Sequence, residues 1–299
     1  MFDVLTGNIL PVFSVLALGF LLGRIGMVSG IEARAINRVS FIVFQPPLIF
    51  LLIARIDVAS FPVRPLALYA CAEIVAFVLT YQIARRIFGR EVAEAWLLAM
   101  AVVFVNSLLY IWPISVLIYG LDGVTSIGAI VAWDSTVAFA FFIISIELLS
   151  GDRGAGAAVA SMSRNPVLLA ILLAVLTNLI ALPLPAPLVT ALDFAGAAAP
   201  PLTLFAVGVI LSASPLVPTP VVITIAGLKL VLFPLMVWAL ISQFSPGDPA
   251  APQFILNAAG PSGMMAFSLA LLHGVRSDAI TPVIIWTCLL SLIPLALLA

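Results

Sequence analysis

Apolar residues fill long stretches of this chain, and short segments rich in glycine, proline and charge interrupt them. A helix needs roughly 20 apolar residues to cross a bilayer. Stretches of that order lie near 4–23, 34–54, 66–87, 93–120, 124–149, 165–182, 189–212, 220–243, 252–274 and 278–298. Punctuation such as Gly23–Gly30, Gly89–Glu91, Gly151–Pro166 and Ser245–Pro252 separates them. The pattern predicts an all-α membrane protein of ten transmembrane helices, with no interval large enough for an extramembrane domain.

Two of these spans are interrupted. In the fourth, Asn106 precedes Pro113, whose ring clashes with the carbonyl of Leu109 and which has no N–H to offer. In the ninth the interruption is Gly260-Pro261-Ser262-Gly263. A broken helix frees N–H and C=O groups where no water is available, so such breaks survive only when buried in protein or lining a cavity. Five spans precede the Gly151 segment and five follow it, which gives two repeats, 1–150 and 151–299. Gly120 then matches Gly274, and Asn106-Ser107 matches Gly260-Pro261. An odd number of spans per repeat forces opposite topology, the inverted-repeat plan of many secondary transporters.

Composition excludes other classes. Of 299 residues, 64% are hydrophobic and 8% charged, against about 25% charged in soluble domains. Twelve basic and thirteen acidic residues nearly cancel, which leaves no basic surface for nucleic acid. Cys71 and Cys288 fall in apolar segments and make no metal or disulfide pattern. Met1-Phe2-Asp3 lacks a basic leader, so residues 4–23 read as the first span rather than a cleaved signal. Catalytic and nucleotide-binding signatures such as HExxH, GxSxG or a P-loop do not occur. The expectation is no enzyme, no cofactor and no metal.

Charge sets the orientation. Segments after spans 1, 3, 5 and 9 carry Arg24, Arg34, Arg38, Arg85, Arg86, Arg90, Arg153, Arg164 and Arg276, against only Arg55 and Arg64 on the other side. Both termini should therefore face away from the cytoplasm of a multi-pass plasma membrane protein (in a bacterium, the inner membrane).

The candidate site follows from the breaks. A half-helix starting near Pro113 would present free N–H groups and a positive dipole end, which suits a carboxylate. Asn106 supplies both a donor and an acceptor. Ser107, Tyr110, Pro113, Gly260, Pro261, Ser262, Gly263 and Met264 complete the candidate substrate site. Lys229 is a deep basic residue, and Glu73 stands at nearly the same place in the first half, so a pair is possible. Asp134 is either a structural carboxylate held with Ser135 and Thr136, a partner for broken backbone, or a proton carrier. Glu147 and His273 lie near span ends and receive no role. Gly19 and Gly23 form a small-residue face that suits close helix packing.

At these residues the chain resembles the auxin efflux carrier family, whose bacterial members include malonate-type organic acid permeases. The resemblance rests on Asn106, Pro113 and Tyr119-Gly120, on Asn37-Arg38 followed by Phe41–Phe50 with Pro46, on Pro201–Gly208, on Lys229 with Pro234, and on Pro261-Ser262-Gly263 with Phe267. It implies two inverted five-helix repeats with helices 4 and 9 crossing at their breaks. It also implies a homodimer through scaffold helices 1, 2, 6 and 7, while helices 3–5 and 8–10 move as a transport unit in an elevator motion. The layout is more distantly similar to that of bile acid–sodium symporters. The expected function is secondary transport of a small organic acid, coupled to a proton or sodium, with substrate beside Asn106. Leu108 and Ile111 stand where the family often has glycine, which implies a narrower or more apolar pocket. Few basic residues besides Lys229 are placed to balance a second carboxylate, which favours a monocarboxylate or a weakly polar organic anion. The rivals are a drug/metabolite-type exporter of similar size, whose termini would be cytoplasmic, and a membrane receptor that binds ligand without moving it.

Overall fold

Prolines shape the helices of this chain, and their effect is visible throughout the computed structural model, which describes residue 3 and residues 5–56, 61–150, 165–213 and 216–298. Seven helices are long and apolar enough to cross a membrane: α1 (Leu5–Arg24), α2 (Gly30–Ala54), α3 (Val63–Arg86), α6 (Thr125–Leu149), α8 (Ala186–Ser212), α9 (Pro220–Phe244) and α12 (Ile280–Leu298). Shorter helices occupy the other three predicted intervals. The fourth is divided into α4 (Val92–Val103) and α5 (Ser107–Tyr119), the sixth is α7 (Pro166–Leu179), and the ninth is divided into α10 (Ala251–Ala258) and α11 (Met265–Leu272). The join after residue 150, with Arg153 and Arg164, lies outside the described residues.

Five π turns occur among the described residues, and four stand just ahead of a proline. Leu5–Ile9 precedes Pro11, Ser40–Phe44 precedes Pro46, Ser107–Ile111 precedes Pro113, and Leu228–Leu232 precedes Pro234. The cause is shared: proline donates no hydrogen bond and crowds the carbonyl four residues back, so the preceding turn widens to an i→i+5 bond. The fifth, Asp134–Ala138 in α6, has no proline to explain it.

Glycines bring α1 and α8 into backbone contact. A Cβ on Gly19 would lie 2.1 Å from the Phe205 carbonyl oxygen, and one on Gly208 would lie 2.1 Å from that of Leu16. This realises the small-residue face read from Gly19 and Gly23. At the end of α2, the Asn178 amide of α7 donates to the Ile53, Ala54 and Ile56 carbonyls at 3.3, 3.0 and 2.7 Å, satisfying acceptors that a helix terminus leaves open. Gly120 and Gly274, which end α5 and α11, both adopt positive φ, at 75° and 64°, a conformation that favours glycine. Around the two divided spans lies a continuous apolar core that includes Tyr69, Phe233 and Phe254.

Candidate functional site

The two breaks meet. Between α4 and α5, Phe104 to Asn106 leave helical geometry; between α10 and α11, residues 259 to 264 do the same. The unwound segments lie antiparallel, with Val105 opposite Ser262. The Asn106 N–H donates to the Pro261 carbonyl at 3.0 Å, and the Gly263 N–H donates to the Phe104 carbonyl at 2.8 Å. Each break thus supplies what the other lacks. Small residues make the approach possible: a Cβ on Gly260 would sit 2.5 Å from Ile111 Cδ1, and one on Gly263 3.0 Å from the Phe104 ring and 3.1 Å from its carbonyl oxygen. Ser262 N–H finds the Thr287 hydroxyl at 3.2 Å.

The first break is not where the proline suggests. The second half-helix begins at Ser107, not near Pro113, because the π turn Ser107–Ile111 absorbs the missing bond: the Tyr110 and Ile111 N–H groups both donate to the Asn106 carbonyl at 3.1 Å. Asn106 therefore occupies the N-cap position of α5, yet its side chain makes no capping bond. An N-cap asparagine ordinarily satisfies one of the first helical N–H groups. Here the N–H groups of Ser107, Leu108 and Leu109 precede the first intrahelical bond and have no side-chain cap. At α11 the cap position is Met264, again without a capping side chain.

Both helix starts face one cavity of about 830 Å³, lined by Asn106, Ser107, Leu108, Leu109, Gly263, Met264 and Met265. Of the residues predicted for the site, Asn106, Ser107, Gly263, Met264 and Asp134 line this cavity. Gly260, Pro261 and Ser262 are buried in the crossing itself. Tyr110 is fully buried and turns toward Cys288 and Ser291, and Pro113 does not reach the cavity. Both sit past the start of α5; helical twist carries Tyr110 into the core, while Pro113 stays partly exposed away from the cavity. Glu73 and Lys229 are buried behind the crossing rather than in the cavity wall.

A polar chain leads back from the cavity. The Ser107 hydroxyl donates to Asp134 Oδ2 at 2.9 Å, while Asp134 Oδ1, also buried, has no hydrogen-bond partner. Its carboxyl group lies within hydrogen-bonding reach of that of Glu73, which accepts from Trp133 Nε1 at 2.7 Å. No ion pair joins Glu73 to Lys229 among the described residues; Lys229 Nζ instead donates to the Ala258 carbonyl at 2.7 Å and lies 4.8 Å from the centre of the Phe233 ring. That carbonyl is at the end of α10, where the helix dipole favours a cation. The ammonium charge still lies within electrostatic range of both carboxyl groups, which tempers the cost of holding three ionisable groups away from water. Among the described residues, no three His, Cys, Asp or Glu side chains gather as a metal site.

Residues that the sequence reading left out complete the cavity. Asn37, Phe41 and Gln45 line it from α2 and Thr203 and Val207 from α8, with Arg34 and Arg38 at one end and Glu147 and His273 at the same end. His273 Nε2 is 3.7 Å from a Glu147 carboxylate oxygen. The signal was present: Arg34, Arg38, Phe41 and Gln45 recur at the spacing of one helical face, with polar groups inside an apolar span.

Known proteins are similar over the same ground. Residues 155–299 match the family described as "Membrane transport protein". An "Uncharacterized transporter" of Methanothermobacter thermautotrophicus is 28% identical over 298 residues, 98% of this chain and 96% of the relative. A "Putative malonate transporter" of Rhizobium meliloti is also 28% identical over 298 residues, 96% of this chain and 92% of the relative.

Proposed function

We propose that the chain is a membrane transport protein of the auxin efflux carrier family, which its match over residues 155–299 supports, and that it carries small organic carboxylates across the membrane by alternating access. The observation that carries this reading is the crossing: two uncapped helix starts and the free Asn106 amide face one cavity. Backbone N–H groups at a helix start attract negative charge through both hydrogen bonding and the helix dipole. One substrate carboxylate accepts from the α5 start and from the Asn106 amide, with Ser107, Gly263 and Met264 shaping its surroundings.

The ten intervals act as two inverted repeats, 1–150 and 151–299. Helices 1, 2, 6 and 7 of the ten form a scaffold and a homodimer interface, while the crossing helices 4 and 9, with 3, 5, 8 and 10, move as an elevator. The cavity supports this division, since α2 and α8 line one wall and the crossing lines the other. The basic-residue count puts the open end toward the cytoplasm and both termini on the opposite side. Asp134 carries a proton between the cavity and Glu73, with Lys229 as the fixed countercharge; sodium coupling is the competing arrangement. A π turn at Asp134 with no proline to cause it fits a functional carboxylate.

The preference for a monocarboxylate rested on a shortage of basic residues near the site. Arg34 and Arg38 line the cavity, so the proposed substrate class extends to dicarboxylates, in keeping with the name of the rhizobial relative. Counterflow of labelled acetate, lactate, malonate and succinate in proteoliposomes tests the function. Exchange of a carboxylate across the bilayer is the expected result. Ligand binding without exchange favours the receptor, and export of cationic or neutral drugs with no carboxylate movement favours the exporter.

A further inference from the structure

Resting on the carboxylate reading, we propose that Arg34 and Arg38 form a collecting site for the anionic substrate at the cavity mouth, a first station that holds the carboxylate before it reaches Asn106. The two residues lie one helical turn apart and share the α2 stripe that continues through Phe41 to Gln45. Gln45 stands eleven positions after Arg34, so the stripe spans about 16 Å at 1.5 Å per residue. Guanidinium groups thus stand at the mouth, an aromatic ring in the middle, and an amide at the floor, where Gln45 meets the Thr203 hydroxyl at 3.5 Å.

Their lack of partners is what points to a ligand. Among the described residues, neither Arg34 nor Arg38 makes a hydrogen bond or ion pair. Four other arginines on the same side are engaged: Arg24 with the Ser212 carbonyl, Arg85 with the Arg90 carbonyl, Arg90 with Glu94 and Arg276 with Asp278; Arg86 also lacks a partner among the described residues but does not line the cavity. Nearby acids are also occupied elsewhere. Glu32 caps its own helix through Ser29, Glu147 faces His273, and Asp134 is held by Ser107 at the far end of the cavity. Like charges at i and i+4 repel, and guanidinium cannot shed its proton to escape. A positive-inside bias is served by arginines anywhere on this side; it does not require two unpaired ones in a cavity wall. An anion bound there gains a planar, multidentate donor set yet remains near bulk water, so it leaves readily toward the deeper helix starts.

The test uses Ser268→Cys in a Cys71→Ser background, which puts one exposed thiol on the cavity lining while Cys288 stays buried. Modification rates are measured in reconstituted protein with 2-sulfonatoethyl methanethiosulfonate, an anion, and with its trimethylammonium counterpart. Arg34→Gln with Arg38→Gln is expected to slow the anionic reagent about tenfold, without slowing the cationic one, and the difference should fade in high salt. Arg34→Lys with Arg38→Lys restores the anionic rate. Unchanged rates, or equal slowing of both reagents, overturn the proposal. Slowing confined to bilayers containing phosphatidylglycerol assigns the arginines to lipid headgroups and also overturns it. In transport, the Gln pair should raise KM from the arginine side and leave kcat unchanged. If the unaltered protein moves no carboxylate, the transport reading fails while the thiol rates still decide the arginine site.

Discussion

The Asn106 N–H meets the Pro261 carbonyl at 3.0 Å across 155 positions of sequence, and this bond fixes where both helices stop. It also separates two roles of Asn106. The backbone holds the crossing together, and the side chain, free of structural bonds, is left for the cavity.

Asn106→Ala should therefore lower carboxylate binding strongly while barely moving the melting temperature. Loss of a hydrogen bond to a charged ligand costs about 1.5–3 kcal/mol, a roughly 10- to 100-fold rise in Kd. Asn106→Asp should bind more weakly still, because it sets a negative charge against the substrate. Calorimetric binding with parallel thermal unfolding checks both; a large drop in stability with Asn106→Ala means the amide is structural.

Gly260→Ala places a methyl group against Ile111, where 2.5 Å is available. Overpacking of this kind costs about 1–3 kcal/mol. Trimming the opposing side chain with Ile111→Ala should return part of the loss, and a double-mutant cycle on thermal stability reads the coupling. Additive effects would mean the two do not meet.

Gly208→Ala meets backbone rather than a side chain, at 2.1 Å from the Leu16 carbonyl oxygen. No rotamer change relieves that clash, so α1 and α8 must separate. The expected outcome is a larger loss of stability than for Gly260→Ala, with no rescue from Leu16→Ala. Yield and melting temperature in detergent check the ordering.

Lys229→Met removes a fully buried ammonium while leaving Glu73 and Asp134 in place. Breaking a buried charge cluster on one side costs about 3–5 kcal/mol. Adding Glu73→Gln should recover part of it, since one carboxyl fewer then lacks its countercharge. Unfolding of the single and double variants compares them directly, and equal stability of Lys229→Met and the unaltered protein contradicts the charge argument.

Orientation is open to labelling. Arg90 and Arg276 share one side, where Asp278 faces both at 3.9 and 3.2 Å, whereas Arg55 and Asp193 pair at 3.2 Å at the end of α2. Single cysteines at Arg276 and at Asp193 should react with impermeant maleimide from opposite faces of intact cells, with only Asp193→Cys accessible from outside.

Much of this was legible in the chain. Hydropathy alone marks each interval, because bilayer thickness demands long apolar runs. The Gly260–Gly263 break is legible too, since glycine and proline act locally. What was not legible is set by distant partners. Pro113 pointed to the wrong breaking point, because a π turn absorbs its defect locally, while the Pro261 carbonyl draws Asn106 out of the helix from the other half. Arg34 and Arg38 read as markers of sidedness, since their place in a cavity wall depends on how α2 packs beside the crossing. Tyr110 and Pro113 looked close to Asn106 in sequence, but helical twist takes both away from the cavity and buries Tyr110.

The paired unwound segments at the crossing also limit how the protein can change shape. Parting them would strand the Phe104 and Pro261 oxygens and the Asn106 and Gly263 hydrogens in a water-poor interior, at several kcal/mol for each group. Sliding by a single step would turn every matched donor toward the wrong neighbour. The knot of backbone at the centre is thus a rivet, and whatever displacement delivers cargo from one face to the other must swing the riveted pair whole.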